Sequence, residues 1–489
     1  MASIGAGVYL NSVRESLYPV LDYGADPTGS LDSADAIQAA INAGQPVDLP
    51  PGRFMVERPV LLASGVPIDG AGRGQTTIFA GPSLTAAGGA VLQKVSASAS
   101  DSVQSITISN LTIDATAGPG GTVDGIYLDT SISSAVVYNG VTMRGVTVQN
   151  ARTGFRWDGN NASAGPMNNE LWAVNCRADN CAIGFGATGT YAASYSRCFA
   201  TRSTMAGWGT GGVSPGFTWF TGQGPTTLTR IGNCHVEGLG NISGAGTETD
   251  HGIYVAASDL KIKDVIVSNV SRFAVVASSG EGYAALVDGV TVWGAGFSGL
   301  YLTGGAGQNG VCSNVSLYNV AQSSQANPDE QCAVLHGSGN WSVQDVEIPT
   351  ASEAPPYAIG WGGDVNDGYT QLSFTRVNCP APKTARLKQL SNPQTGTLRF
   401  DQCVGINPAA GTSPVTGQGI TPAIPAASTT VTNTSGVDVD VYIAGGAAVA
   451  VTANGVATGQ AAGTFFVPAG GTIDLGAYTT APTWVWVGR

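Results

Sequence analysis

Apolar and polar residues alternate in short runs along the middle of the chain, and one apolar position recurs every 22 to 36 residues. A typical run is NLTI at residues 110–113. We term the first apolar residue of each run the pivot. Because successive side chains of a strand point to opposite faces, the pivot and the residue two places later face the same way. A repeat of this length predicts a stacked solenoid. The pivots are residues 111, 146, 176, 198, 234, 265, 290, 315, 346, 377 and 403.

Two further apolar runs complete each repeat. A second strand opens on a small residue eight or nine places after the pivot, as at Gly154 and Gly299, and a third strand precedes the next pivot, as at Leu260 and Ile262. Asparagine or glycine at the bends can adopt the left-handed conformation that a sharp corner needs. The pattern predicts an all-β, right-handed parallel β-helix of about eleven rungs, each ~4.8 Å above the last. The signatures of a β-propeller and of a leucine-rich repeat are absent.

The runs also predict how the chain is divided into domains. Within the N-terminal module we expect a helix from Ala34 to Ala43, with Asp32 or Ser33 as N-cap and Gly44 as its stop, covering the open end of the solenoid. We expect an N-terminal arm or attachment segment at residues 1–20, the capping module and first strands at 21–100, the β-helix at 101–404, a Pro/Gly-rich linker at 405–427 and a small antiparallel β domain at 428–489. The last strand of this domain carries two alternating tryptophans, Trp484 and Trp486, whose face is expected to be covered either by the domain's own sheet or by a neighbouring subunit. We therefore expect the domain to serve trimerisation or glycan binding.

Composition narrows the choice of partners. The chain has 489 residues, a formal charge of −12 and only 11% charged residues, which argues against nucleic acid binding. The sequence has no apolar run of bilayer-spanning length, and its first twenty residues lack the features of a secretion signal. Four of the eight cysteines occupy pivots and are expected to be buried as small apolar residues. A metal-binding spacing such as C-x-x-C is absent. We expect no cofactor and no metal at the functional site, and a structural Ca²⁺ among loop carboxylates is an alternative that the sequence leaves open.

Four motifs near the N-terminus resemble a known family. DYGADPTG at 22–29, AIQAAI at 36–41, LPPGRF at 49–54 and GAGRGQTTI at 70–78 resemble the N-terminal module of the pectate-lyase-like superfamily. That superfamily includes hydrolases, lyases, epimerases and non-enzymatic spikes, so the resemblance implies the fold more strongly than the chemistry.

Within this superfamily, the short N-terminal arm and the small C-terminal β domain resemble a bacteriophage tailspike. The resemblance implies a homotrimer that binds, and often cleaves, a bacterial surface polysaccharide. It also implies attachment to the phage tail or baseplate through the N-terminal arm, and therefore a place in the virion tail, where the protein acts outside the cell without membrane insertion. A virion protein is released by lysis, which explains the missing secretion signal.

Outward carboxylates are the candidate catalytic groups. The third residue after each pivot should face outward, and this column places Asp179 and Glu237 two rungs apart, ~9.6 Å along the stack. Inverting glycosidases hold their two carboxyl groups about 6.5–9.5 Å apart. The loop after Glu237 adds Glu248 and Asp250, followed by His251. The alternative for each carboxylate is a solvated surface group or a turn cap.

Aromatic side chains are the candidate sugar-binding groups, although each one can instead pack against loops. Two alternatives to hydrolysis remain open. A spike that binds without cleaving would carry the same aromatics, and a lyase would use Lys261 and Lys263 with Arg230 and His235 to neutralise a uronate. The predicted substrate-binding residues are Trp219, Phe220, Tyr254, His251, Tyr127 and Tyr301.

Overall fold

The computed structural model describes the chain as two compact units. Unit 1 comprises the described residues up to Val275, and unit 2 those from Val276 onward. The structure describes residues 19–95, 105–116, 121–129, 139–158, 169–188, 192–201, 217–218, 229–238, 251–257, 259–279, 284–304, 308–323, 331–348, 355–361, 370–379, 385–389, 396–401, 403, 422–434, 438–468 and 470–488.

The predicted N-terminal helix is present, and its apolar side is buried. Ala36, Ile37, Ala40 and Ile41 are each at most 6% exposed. The Asp32 carboxylate accepts the Ala34 backbone N–H at 2.9 Å. The helices are α1 (Pro19–Asp22), α2 (Ala34–Asn42) and α3 (Pro82–Ala87).

Unit 1 is a stack of parallel strands. Its first sheet contains two ladders, one running β1–β4–β7–β10–β13–β16–β19–β22 and the other β2–β5–β8–β11–β14–β17–β20–β22, and its second sheet runs β3–β6–β9–β12–β15–β18–β21. The strands are β1 (Val47–Leu49), β2 (Gly52–Val56), β3 (Val60–Leu61), β4 (Ile68–Gly70), β5 (Thr76–Ala80), β6 (Gly89–Val95), β7 (Thr107–Ser109), β8 (Thr112–Asp114), β9 (Val123–Asp129), β10 (Asn139–Arg144), β11 (Thr147–Gln149), β12 (Thr153–Asp158), β13 (Asn169–Val174), β14 (Arg177–Asp179), β15 (Ile183–Thr188), β16 (Ala193–Ser196), β17 (Phe199–Thr201), β18 (Phe217–Thr218), β19 (Thr229–Gly232), β20 (His235–Glu237), β21 (Ile253–Ala257) and β22 (Leu260–Val270).

Unit 2 holds two further parallel ladders, β24–β26–β28–β30–β32 and β25–β27–β29–β31. Its C-terminal part forms two antiparallel sheets, ordered β33–β38–β35–β36 and β37–β34–β39. The strands are β23 (Val275–Ser279), which starts at the unit boundary, β24 (Ala285–Ala295), β25 (Leu300–Gly304), β26 (Asn309–Tyr318), β27 (Cys332–His336), β28 (Asn340–Glu347), β29 (Tyr357–Trp361), β30 (Thr370–Asn378), β31 (Ala385–Gln389), β32 (Gly396–Asp401), β33 (Val431–Thr432), β34 (Val439–Ala444), β35 (Thr452–Ala453), β36 (Val456–Ala457), β37 (Gly463–Val467), β38 (Thr472–Asp474) and β39 (Thr483–Gly488).

The predicted fold class, an all-β parallel β-helix with a helical cap and a small antiparallel C-terminal part, is confirmed. The domain boundaries expected from the sequence stay a prediction. Inside unit 1 the pivots of successive rungs line up. Cys176, Cys198 and Cys234 are all buried, and the backbone N–H of Cys198 lies 3.4 Å from the Cys234 sulfur.

The bend before each pivot has one conformation. Ten pivots of the described chain follow a residue with φ between 52° and 67°, the left-handed region that a sharp corner needs. Arginine and aspartate adopt it as well as asparagine and glycine, so the looser sequence copies form the same bend. These residues are Asn110, Gly145, Asn175, Arg197, Asn233, Asp264, Gly289, Asn314, Asp345 and Arg376.

Candidate functional site

Two columns of side chains run along the outward face of the short strands of unit 1. Strand register places each residue directly beside its counterpart on the next rung, and the column three residues after the pivot is the one predicted from the sequence. That column reads Asp114, Gln149, Asp179, Thr201, Glu237 and Ser268, and the column two residues closer to the pivot reads Thr112, Thr147, Arg177, Phe199, His235 and Ile266.

Asp179 is held in place by two neighbours. The Arg177 side chain forms an ion pair with its carboxylate at 2.6 Å, and the Thr201 hydroxyl donates a hydrogen bond to it. Arg177 also lies 5.3 Å from the centre of the Phe199 ring. The carboxylate is therefore fixed beside a half-buried aromatic ring, in a position to act on a group in front of the sheet.

Glu237 stands two rungs from Asp179, with Thr201 between them. Two strand spacings put the backbones of the two acids ~9.6 Å apart. Among the described residues the Glu237 carboxylate has no hydrogen-bond partner, so it is free to interact with a ligand.

Asp114 lies two rungs from Asp179, on the side away from Glu237, and its carboxylate is occupied by hydrogen bonds to neighbouring residues. It accepts hydrogen bonds from the Gln149 amide at 2.8 Å, the Asn150 amide at 3.0 Å and the Thr116 backbone N–H at 3.0 Å. These bonds cap the next bend and leave Asp114 without a role toward a ligand. Asp114 and Glu237 thus occupy the same column but differ in their hydrogen bonds: the Asp114 carboxylate accepts three, and the Glu237 carboxylate accepts none from the described residues.

His235 lies next to Glu237 on the same strand and packs against Phe199, with ring centres 4.4 Å apart. Its Nε2 is 3.3 Å from the Ser268 hydroxyl. Burial lowers the pKa of His235, and the negative charge of Glu237 offsets part of that shift. The imidazole is therefore neutral at neutral pH.

A group of cations lies across the bend from these acids. Arg230 pairs with Lys261 on the neighbouring strand, and Gly232 pairs with Lys263. All three cations are exposed, and Asp259 is 3.6 Å from the Lys261 ammonium. Two of the five lysines of the chain thus stand beside an arginine on one outward surface.

Two of the predicted sugar-binding tyrosines, Tyr127 and Tyr254, occupy one column of unit 1, four rungs apart. Strand register runs from Tyr127 through Arg156, Gly186 and Thr218 to Tyr254. The Arg156 guanidinium covers one face of the Tyr127 ring at 4.4 Å. The Tyr127 hydroxyl donates to Asp129 at 2.7 Å, and burial raises the Tyr127 pKa well above its ordinary value.

His251 lies in an aromatic cluster. Its ring is parallel to Phe273 at 5.5 Å and meets Tyr254 edge-on at 5.3 Å. Burial and the nearby Arg272 charge lower the pKa of His251 to about 3. A sugar-binding role for His251 would therefore use the neutral imidazole.

The remaining predicted residues are in unit 2 or outside the described chain. Tyr301 in β25 packs over Gly337, where an added Cβ would lie 2.8 Å from its ring. Its role and those of the other predicted site residues stay predictions. Glu248, Asp250, Trp219 and Phe220 lie outside the described residues.

Sequence reasoning missed two groups. Arg177 and Phe199 were not singled out, although counting one residue after each pivot would have found them. The second group surrounds Asp124, which is 1% exposed and is bound by Arg152 at 2.8 and 2.5 Å and by Arg156 at 3.2 Å. No sequence pattern indicated that cluster, because its members come from different turns and strands.

Among the described residues, no set of three or more histidine, cysteine, aspartate or glutamate side chains is arranged to hold a metal ion. No helix in the same part of the chain is long and apolar enough to span a membrane.

Residues 18–213 match the family model described as rhamnogalacturonase A/epimerase, pectate lyase-like. This part of the chain is therefore similar to the pectate-lyase-like family, in agreement with its parallel β-helix. The search of curated protein sequences found no match.

The chain is also similar to solved structures at low sequence identity. The catalytic unit of an α-1,3-glucanase from Streptomyces thermodiastaticus is 16% identical, with a TM-score of 0.53, over 79% of this chain and 68% of that one. A tailspike of Escherichia coli bacteriophage HK620, in complex with a pentasaccharide, is 13% identical, with a TM-score of 0.46, over 96% and 93% of the two chains. A Pseudomonas phage LKA1 tailspike is 11% identical, with a TM-score of 0.44, over 96% and 98%.

Proposed function

We propose that the chain binds a bacterial surface polysaccharide across the outward face of β14, β17 and β20 and hydrolyses it as an endo-glycosidase. The observation that supports this is the pair Asp179 and Glu237, two rungs apart in one outward column. Their backbone spacing of ~9.6 Å suits an inverting mechanism, which needs about 6.5–9.5 Å between carboxyl groups to seat a water. The two carboxyl groups fall within that range if their side chains lean toward each other.

The partners of each acid suggest its role. Asp179 is paired with Arg177, which favours a carboxylate that activates water as general base. Glu237, with no partner in the described chain, is the residue we assign as general acid to the leaving oxygen. Phe199, between them on the adjacent column, offers a surface for the sugar ring.

A lyase is the second candidate function, because Arg230, Lys261 and Lys263 lie across the bend from the strand that carries Glu237 and the neutral His235. A lyase needs cations that stabilise the carboxylate of a uronate while a base removes the neighbouring proton. These residues supply both kinds of group, so an acidic polysaccharide that yielded unsaturated ends would favour this mechanism.

We further propose that the protein is a tailspike, a homotrimer attached to the phage tail or baseplate through residues 1–20. The support is the resemblance of its N-terminal motifs to the family, together with a β-helix and a small antiparallel C-terminal part in one chain. The physical argument for a trimer from the C-terminal tryptophans is weaker in the folded chain, where Trp484 and Trp486 are at most 5% exposed.

The test is cleavage of a panel of purified bacterial capsular and O-antigen polysaccharides, followed by reducing-end and ultraviolet assays. We expect the wild-type protein to produce new reducing ends. The variants Glu237→Gln and Asp179→Asn should each produce them about 100-fold more slowly, or slower still. Asp114→Asn is the matched control, since it removes a carboxylate from the same column, and should retain cleavage.

Three outcomes would contradict parts of this proposal. Cleavage that survives in both site variants would exclude the Asp179 and Glu237 assignment. New ultraviolet absorbance from unsaturated uronates would replace hydrolysis with lyase chemistry. Binding of a polysaccharide without any cleavage would leave a receptor-binding spike.

A further inference from the structure

Unit 2 carries an aromatic pair on its outward face that the catalytic proposal does not use. Trp293 and Tyr318 are neighbours on β24 and β26. Their rings are parallel within 9° and their centres lie 4.2 Å apart. Trp293 is nevertheless 52% exposed, so the stack fixes the plane of the indole while half of the residue stays open to solvent.

Polar groups lie beside this pair. Thr291 and Ser316 pair with each other two residues before the rings, on the same face of the sheet. The row continues from Ser316 to Glu347 and then to Asn378 on the next two strands. The Asn378 amide donates to both Glu347 carboxylate oxygens, at 3.0 and 2.9 Å, and so orients that carboxylate.

An exposed aromatic stack beside hydroxyl, carboxylate and amide groups is better suited to bind a sugar than to form the centre of a protein–protein interface. A pyranose ring has an apolar C–H face that stacks on an indole and a rim of hydroxyls that bond to hydroxyl, carboxylate and amide groups. The centre of a protein–protein interface is instead depleted of charged side chains, whereas an exposed carboxylate lies near this pair.

We propose that Trp293 and Tyr318 form a second sugar-binding subsite, with Ser316 and Glu347 accepting hydrogen bonds from the hydroxyls of one pyranose residue of the polysaccharide. The proposal rests on the proposed function, because its ligand is that same polysaccharide, but it involves none of the residues assigned to cleavage. The stack holds the indole in place before binding, which reduces the entropy lost when a sugar docks.

The test measures binding to an array of bacterial capsular and O-antigen polysaccharides, with the intact chain in the wild-type and Glu237→Gln backgrounds. We expect Trp293→Ala to raise the Kd for the bound polysaccharide about tenfold, the factor that a stacking contact of about 1.4 kcal/mol represents. Trp293→Phe keeps an aromatic face and should restore most of the affinity. Tyr442→Ala is the control, since Tyr442 is also an exposed aromatic, 46% exposed, on a different sheet.

Each outcome decides between explanations. An unchanged Kd in Trp293→Ala, while the wild type binds, excludes the subsite and leaves the proposed function intact. Binding of no polysaccharide by the wild type contradicts both proposals. A change in oligomeric mass in Trp293→Ala, measured by light scattering, would show that the pair contacts a second copy of the chain and would overturn the sugar assignment.

Discussion

Individual side chains of unit 1 acquire their roles from partners on neighbouring rungs. Asp114 and Glu237 occupy equivalent positions in one column, yet Asp114 accepts three hydrogen bonds around a bend and Glu237 has no hydrogen-bond partner in the described chain. The alternation of inward and outward side chains along each strand was enough to predict that these acids lie in one column. Which of them is available for chemistry depended on residues about 35 places away, such as Gln149 and Asn150.

His336 allows a prediction about pH and stability. It is 1% exposed, its Nε2 lies 3.1 Å from the Gly339 carbonyl oxygen, and burial lowers its pKa from the ordinary 6.5 to about 4. The folded protein therefore binds fewer protons than the unfolded chain between these values. Burial of the neutral His336 contributes fully to the free energy of unfolding above pH 6.5. That contribution, on the order of 3 kcal/mol, is lost as the pH falls toward 4.

Denaturant unfolding at pH 7 and pH 4.5 checks this expectation. His336→Gln retains a donor for the Gly339 carbonyl but cannot be protonated in this range. We expect it to be less stable than the wild type at pH 7 and to lose less stability on acidification. Equal losses in the two proteins would show that His336 does not contribute to the acid sensitivity.

At the scale of the strand, the sequence pattern of small residues has a steric cause. A Cβ added to Gly154, which opens the second strand of its rung, would lie 2.7 Å from the Gly184 carbonyl oxygen and 3.2 Å from the Ala178 side chain. Gly125 and Gly252 are similarly enclosed, each by a valine of the facing sheet. At these three positions the neighbouring backbone and the side chains of the facing sheet thus leave room for glycine alone.

Gly154→Ala should therefore destabilise unit 1 by about 1–3 kcal/mol, because the backbone atoms around it cannot move aside cheaply. Gly232→Ala is the matched control in a strand of the same unit, where the nearest atom to an added Cβ is 3.9 Å away. Thermal or denaturant unfolding compares them. Equal stability of the two variants would contradict the packing explanation.

At the scale of the whole molecule, the C-terminal domain satisfies its own apolar face. The alternating tryptophans of β39 are buried, and the Trp484 indole N–H donates to the Pro422 carbonyl at 2.9 Å. The sequence left open whether a neighbouring subunit covers these rings. Since residues of the same chain cover them, they do not require a second subunit.

The homotrimer is therefore predicted from the family resemblance. Size-exclusion chromatography with light scattering on the full chain should give three times the mass of one chain. A mass equal to one chain would contradict the trimer and weaken the tailspike proposal, without bearing on the proposed roles of Asp179 and Glu237 in cleavage.

The sequence by itself determined the rungs, the bends before the pivots, the buried cysteine row and the outward column that contains Asp179 and Glu237. These features follow from local rules, namely the two-residue period of a strand and the left-handed bend, so a single repeat contains the information. The cluster of Arg177, Phe199 and His235 and the exposed Trp293 stack were decided by the tertiary structure. Their neighbours come from rungs 22 or more residues apart, and only the stacking of those rungs determines which side chains meet and which remain open to solvent.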